Sequence, residues 1–322
     1  MFITLWLYQI QMPGSVYTLY VWREVYMVLL IEMFWSLADS LFSLKAARKS
    51  YGFVLAISSL GGLSNLLVGP MAQSYGTPLA LLGVVPCLLA CVGLTYYFAN
   101  TLEIQPVFPK KHAKAFGSES LGVVWKSKYL VPMLFLIAIV QISISLIDIQ
   151  FNTYLEQAYT ELDLRTLMIG RVHAIDNTIA AVLQLSAGFI IKMVGIGGIF
   201  VGIPLILGTA ILSFLTAPTF LSAALLKIVS KTFDYSLLRA SKEMLYIPLS
   251  HPEKTQGKAL IDILIYRIAK SSAALLILFL AAISYSAYIM NFVLSLVLIW
   301  ILLAVMIVKR YKSVVSFYHD RI

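Results

Sequence analysis

Residues 129–155 read YLVPMLFLIAIVQISISLIDIQFNTYL and hold a single charged side chain, Asp148. A helix needs about 20 apolar residues to cross the hydrocarbon core of a bilayer, and this run supplies them. The pattern recurs along the chain. Apolar segments run Tyr17–Leu41, Tyr51–Met71 and Pro78–Ala99 before this one. Thr166–Ile191, Gly197–Ala217, Phe220–Leu238, Lys258–Ile283 and Tyr288–Val308 follow it. The expected fold is therefore an all-α integral membrane protein with about nine transmembrane helices.

Composition supports this reading. The 322 residues are 60% hydrophobic and 12% charged, with a mean hydropathy of +0.89. A soluble domain carries about a quarter charged residues, because water must solvate its surface. The two cysteines, Cys87 and Cys91, lie one helical turn apart in an apolar run, and only four histidines are present. No disulfide framework, metal site or cofactor is expected from them.

The net charge of +9 suggests topology rather than a nucleic-acid partner. Seventeen Lys and Arg, from Lys45 to Arg321, fall in alternate connections, and only Arg165 falls in the other set. The positive-inside rule produces this asymmetry and predicts a cytoplasmic C-terminus. An odd number of spans then predicts an external N-terminus. Met1 to Ile10 has no basic leader or small-residue cleavage site, and it is too short to span. The stretch is therefore expected to be the stub of an earlier helix, or the chain to be the back portion of a longer protein.

A basic, polar stretch from Asn100 to Lys128 divides the chain. The expected organisation is a partial N-terminal bundle of three spans (1–99) and a cytoplasmic linker (100–128). A six-helix C-terminal bundle (129–312) and a cytoplasmic tail (313–322) complete it. Transporters built from two six-helix halves place a long cytoplasmic loop between them.

Ionisable residues inside spans are costly and usually face a bundle interior or a water-filled path. Glu32, Asp148, Asp176 and Lys270 lie deepest and are expected to line a polar cavity, whereas Arg23, Asp39 and Arg171 are placed to snorkel. Lys227, Lys231 and Asp234 recur at i, i+4 and i+7, on one helix face, and Asp262 and Lys270 are spaced to share another. His173 and Asp176, at i and i+3, are expected to form a hydrogen-bonded pair. A membrane-buried lysine beside carboxylates suits an anionic solute.

The segment with the most information runs from Ser230 through Lys242-Glu243-Met244-Leu-Tyr246-Ile-Pro248-Leu249 to Gly257-Lys258-Ala259 and Ile261-Asp262. It resembles the cytoplasmic loop and flanking helices of the ATP/ADP translocase family, the nucleotide transporters of intracellular bacteria and plastids with a major facilitator-like architecture. Phe34-Trp35-Ser36-Leu37-Ala38-Asp39 and Leu146-Ile147-Asp148 are similar to further family motifs in the same order. The resemblance covers about residues 20–310 and implies helices four to twelve of a twelve-helix bundle, with the first helices missing. It implies a role in nucleotide transport for Glu24, Asp148 and Lys270. The family's lysine four residues beyond Asp148 is replaced by Asn152, and its glycine-rich surroundings of Lys270 become Ala269-Lys270-Ser271-Ser272-Ala273.

The leading expectation is a secondary transporter of nucleotides, by ATP/ADP antiport or related anion transport, working by alternating access in a bacterial inner membrane. Glu24, Glu32, Asp148, Asn152, Asp176, Lys231, Asp262 and Lys270 are the expected substrate-translocation residues. Lys242, Glu243, Tyr246, Pro248, Gly257 and Lys258 form the cytoplasmic motif. The alternatives are a truncated, non-transporting remnant or a transporter of a different anionic solute. An enzyme is not expected, since no nucleophile–base pair or metal-ligand cluster is legible. The partners are the solute and the lipid bilayer, and the oligomeric state is not legible.

Overall fold

The computed structural model describes residues 12–23, 25–27, 30, 61, 64–101, 118–246, 249–250, 252–258, 260–282 and 288–319. Among them there are helices and turns and no strand. The expected spans Tyr17–Leu41 and Tyr51–Met71 therefore lie largely outside the described residues, as do Glu24, Glu32, Asp39 and Pro248. The chain divides into two compact units, Met1–Pro109 with Glu161–Arg171, and Lys110–Thr160 with Val172–Ile322.

In the first unit, α1 (Asn65–Tyr75), α2 (Thr77–Leu82) and α3 (Val84–Thr101) follow one another closely. The expected span Pro78–Ala99 is thus two helices, parted at Gly83. Gly76, at φ 86°, turns the chain between α1 and α2 in a conformation that favours glycine. The first backbone donor of α2 then finds a partner from a distant segment. Asp163 Oδ1 accepts from Thr77 N at 2.8 Å and from Thr77 Oγ1 at 2.8 Å. This is a helix N-cap supplied in tertiary space, and its negative charge suits the positive end of the helix dipole.

The second unit contains α4 (Ser118–Lys126) and α5 (Leu130–Ala158). The long α6 (Leu162–Thr216) starts in the first unit and continues in this one. At 1.5 Å per residue, a straight helix of its length would reach roughly 80 Å, far more than a bilayer core. It is not straight. Gly195, at φ 74° and ψ 160°, breaks it into two arms, in a backbone region essentially confined to glycine. The arms coincide with the expected spans Thr166–Ile191 and Gly197–Ala217.

Then come α7 (Phe220–Phe233), a π-turn π1 (Asp234–Leu238) and α8 (Arg239–Leu245). Thr219 and Ser222 form a reciprocal capping box at the start of α7. Two further π-turns, π2 (Glu253–Gly257) and π3 (Leu260–Ile265), lead into α9 (Tyr266–Ala282). The last helix is α10 (Ile289–His319). Among the described residues four helices, α5, α6, π3 with α9, and α10, are long and apolar enough to cross a membrane. The protein is an all-α integral membrane protein.

The centre of this unit is α5, against which α7, α9 and α10 all pack. Leu130, Met133, Ile137, Val140, Ile144, Ile147, Phe151 and Leu155 are all buried. Their steps of three or four residues form one continuous seam. Small residues let other helices come close. A Cβ on Gly197 would stand 2.8 Å from Val308 Cγ1, and one on Gly208 would stand 3.8 Å from Val297 Cγ1. These contacts dock the second arm of α6 onto α10.

Candidate solute site and motif clasp

Two polar groups carry the chemistry of the second unit, and the α5–α7 contact builds the first. Lys227 and Lys231, one turn apart on α7, both reach Asp148 on α5. Lys231 Nζ lies 2.7 Å from Asp148 Oδ2, and Lys227 Nζ lies 3.6 Å from Asp148 Oδ1. The lysines are 5% and 8% exposed. Their ammonium groups lie over aromatic rings, with Lys227 Nζ 4.3 Å from the centroid of Phe151 and Lys231 Nζ 5.7 Å from that of Tyr235. Each ring face adds an attractive, weakly polar wall to an ammonium held away from water. One carboxylate thus faces two ammonium groups.

Asp176 lies next to this pair through its backbone. Thr232 Oγ1, beside Lys231, donates to Asp176 O at 3.3 Å. The Asp176 side chain is 2% exposed, and its Oδ2 lies 3.2 Å from His173 Nδ1. The expected pairing of His173 with Asp176 is therefore present. Further along the same α5–α7 seam, Gln141 Nε2 donates to Asp234 Oδ1 at 3.4 Å. Gln141 and Asp148 are seven residues apart, as are Asp234 and Lys227, so the two antiparallel helices match in register. The seven-residue spacing is visible in the sequence, but Gln141 carries no charge to mark it as a partner.

Other expected site residues lie elsewhere. Asn152 is exposed on α5. Lys270 is exposed on α9, its Nζ 5.1 Å from the centroid of Tyr266. Asp262 does not share the surroundings of Lys270, because π3 intervenes. An i→i+5 turn breaks the 3.6-residue period on which their common face was inferred.

Asp262 belongs instead to the second group, a clasp made from the motif residues. It accepts from Lys242 Nζ at 3.0 Å and from Tyr246 OH at 3.2 Å, on the same Oδ1. Lys258 Nζ donates to Glu243 Oε2 at 2.5 Å and lies 5.4 Å from the Tyr246 ring centroid. Tyr129 OH donates to Leu245 O at 3.0 Å, tying α8 to the start of α5. Gly257 is buried where a Cβ would stand 2.6 Å from Leu130 Cδ1. The motif's glycine is thus the point at which π2 meets α5, and its charged residues cross-link the helices on either side of the loop.

Glu253 closes the loop. Its Oε1 accepts from Ser127 Oγ at 2.6 Å, and its Oε2 accepts from Ser250 Oγ at 2.7 Å and Ser250 N at 3.1 Å. Ser127 Oγ in turn accepts from Leu130 N at 3.2 Å, capping α5. Partial burial pushes the Glu253 carboxyl up, but the Ser127 and Ser250 hydrogen bonds outweigh it and hold the pKa below the usual carboxylate range. A carboxylate depressed in the folded state stabilises fully above its unfolded pKa, about 4.3, and the contribution is lost as pH falls through the folded value. Proteolysis of the 246–258 loop is therefore expected to accelerate below about pH 4 in the natural protein. Glu253→Gln, cleaved faster at neutral pH, should show little further change on acidification.

Between the two groups lies a cavity of about 290 Å³. Leu136, Val140 and Phe200 form an apolar wall, and Asp234, Arg239, Lys242 and Asp262 face them. Among the described residues no group of three or more His, Cys, Asp and Glu side chains could hold a metal ion.

The family described as TLC ATP/ADP transporter matches residues 94–311. ADP,ATP carrier protein 1 of Chlamydia trachomatis serovar D is 23% identical over 295 residues, which cover 77% of this chain and 55% of that carrier. ADP,ATP carrier protein 5 of Rickettsia typhi is 25% identical over 306 residues, covering 79% of this chain and 59% of the relative. The chloroplastic ADP,ATP carrier protein 1 of Arabidopsis thaliana is 25% identical over 293 residues, covering 80% and 47%. The chain spans a little over half the length of the bacterial carriers it matches here. The family match takes in both the lysine–aspartate group and the clasp, and this chain belongs to the TLC ATP/ADP transporter family.

Proposed function

We propose that the chain forms the nucleotide-handling part of a secondary transporter that exchanges ATP and ADP, or moves a related nucleotide anion, by alternating access. The observation that carries this reading is the buried pair Lys227 and Lys231 sharing the single carboxylate of Asp148. Two ammonium groups and one carboxylate leave one positive charge in a low-dielectric span, where an incoming phosphate interacts far more strongly than in water. A phosphate oxygen can compete with Asp148 for either lysine, and Asp148 can recapture that lysine when the anion leaves. Binding and release then need no hydrolysis and no cofactor. The names of the carriers that the chain resembles support a nucleotide as the anion.

On this reading residues 1–99 belong to a first bundle, 100–128 to a cytoplasmic linker and 129–312 to a second bundle. The clasp and the C-terminus face the cytoplasm of a bacterial cell. Glu24, Glu32, Asn152, Asp176 and Lys270 are further solute-path residues to be tested beside Asp148 and Lys231.

Bacterial cells expressing the chain should take up labelled ATP or ADP saturably. Lys231→Ala and Lys270→Ala should each lower uptake at least about tenfold, the loss expected when a charged hydrogen bond to the solute is removed. No flux of any nucleotide, from the chain alone or co-expressed with the N-terminal part of a relative, would sink the reading.

A further inference from the structure

We propose that Asp234 is a proton-binding site, exchanging protons with water in the 290 Å³ cavity. The proposal rests on the transporter reading and adds a second, smaller ligand to it. Three other described carboxylates of this unit each have a nitrogen partner close by. Asp148 has Lys227 and Lys231, Asp176 has His173, and Asp262 has Lys242. Asp234 has no ammonium or guanidinium at ion-pair distance among the described residues. Its one polar contact there is the neutral Gln141 amide, at a long 3.4 Å.

Holding a half-buried carboxylate on one weak neutral hydrogen bond is costly, and taking up a proton removes that cost. The carboxylate accepts a proton from a hydronium ion, leaving water, and returns it to water in the reverse step. The cavity makes the exchange possible, because Asp234 lines it and it is large enough for several water molecules. The backbone supports the same reading. Asp234 opens the π-turn π1, and such bulges recur at functional positions because they re-aim side chains and can shift between turn types.

The surroundings set two competing preferences. Lys231 on α7, with Arg239 and Lys242 on α8, favours the ionised carboxylate. Asp148 on α5, Glu243 on α8 and Asp262 on π3 favour the acid, while Tyr235 and Tyr266 line the cavity as neutral donors. Movement of a bound anion along α7 would change the balance at Asp234, three residues beyond Lys231, and so link solute to proton.

The test is infrared difference spectroscopy of the purified protein in lipid, between roughly pH 5 and pH 8. A carboxylic-acid carbonyl band should appear on acidification, be missing in Asp234→Asn and move in frequency in Gln141→Leu, which removes its hydrogen-bond donor. Size-exclusion profiles show whether both variants are folded. Identical spectra in the natural protein and a folded Asp234→Asn overturn the proposal. Labelled-nucleotide uptake across the same pH range should become flat in Asp234→Asn, and an unchanged pH profile also overturns it. A band at Asp234 in a protein that moves no nucleotide would defeat the transporter reading and leave the proton site standing.

Discussion

Lys231→Met is expected to cost roughly 3–5 kcal/mol of stability and to abolish nucleotide uptake, because it removes the 2.7 Å partner of a carboxylate inside a span. The side chains concerned are 11% and 27% exposed, so water can do little to replace the lost ammonium. Lys227, at 3.6 Å, offers only partial compensation. The magnitude belongs to breaking the pair, not to having it. Removing both partners, in Lys231→Met with Asp148→Asn, trades the stranded carboxylate for the Lys227 ammonium, which keeps the Phe151 ring face and gains a neutral amide oxygen, and should restore part of the lost stability. Reversible unfolding in mixed micelles, run as a double-mutant cycle, measures this. A double variant no more stable than Lys231→Met would show that the pair does not hold α5 to α7. Uptake separates the two roles, because the double variant should recover the fold without recovering transport.

Asp262→Ala should be the second large loss, about 2–3 kcal/mol, with faster cleavage of the 246–258 loop. Asp262 Oδ1 is the shared acceptor of Lys242 and Tyr246, so its removal strands a cation and a phenol together. The neighbouring pair provides an internal control. Glu243 and Lys258 are 47% and 35% exposed, and an ion pair so open to water is worth less than about 1 kcal/mol. Glu243→Gln should therefore shift the thermal midpoint little, although both pairs come from one motif. Equal effects from the two substitutions would mean that the clasp acts as a single surface network, not through its half-buried aspartate.

The clasp also shows where motif reading stops. Lys242, Glu243, Tyr246, Gly257, Lys258 and Asp262 stand out in the sequence as a dense cluster of unusual residue types, and the resemblance assigns them to a cytoplasmic loop. Their chemical role was not legible there. The spacing of Asp262 and Lys270 points to a shared solute path, on a helical period that π3 interrupts. In the structure it cross-links α8 to the start of π3 and α9.

Within the described residues, the sequence by itself determined the solvent, the helices and most of their ends. Composition requires lipid, and backbone groups in lipid require helices, so runs such as Tyr129–Leu155 could adopt little else. The three-four spacing from Leu130 to Leu155 already marks the face of α5 that packs. Lys227 and Lys231, one turn apart, were bound to present their charges together, since that follows from local geometry alone.

Only the tertiary structure decided which groups answer them. That Asp148 receives both lysines, that Gln141 meets Asp234, and that Asp163 caps α2 all depend on the packing of distant segments. Turns outside the 3.6-residue period were equally hidden. Gly195 bends α6 and the π-turns re-aim Asp234 and Asp262, so side chains aligned on a regular helix end in different surroundings. The physical reason is one of range. Hydrophobicity and helical period act between near neighbours in the chain, whereas a buried charge takes its partner from whichever helix packing brings within reach.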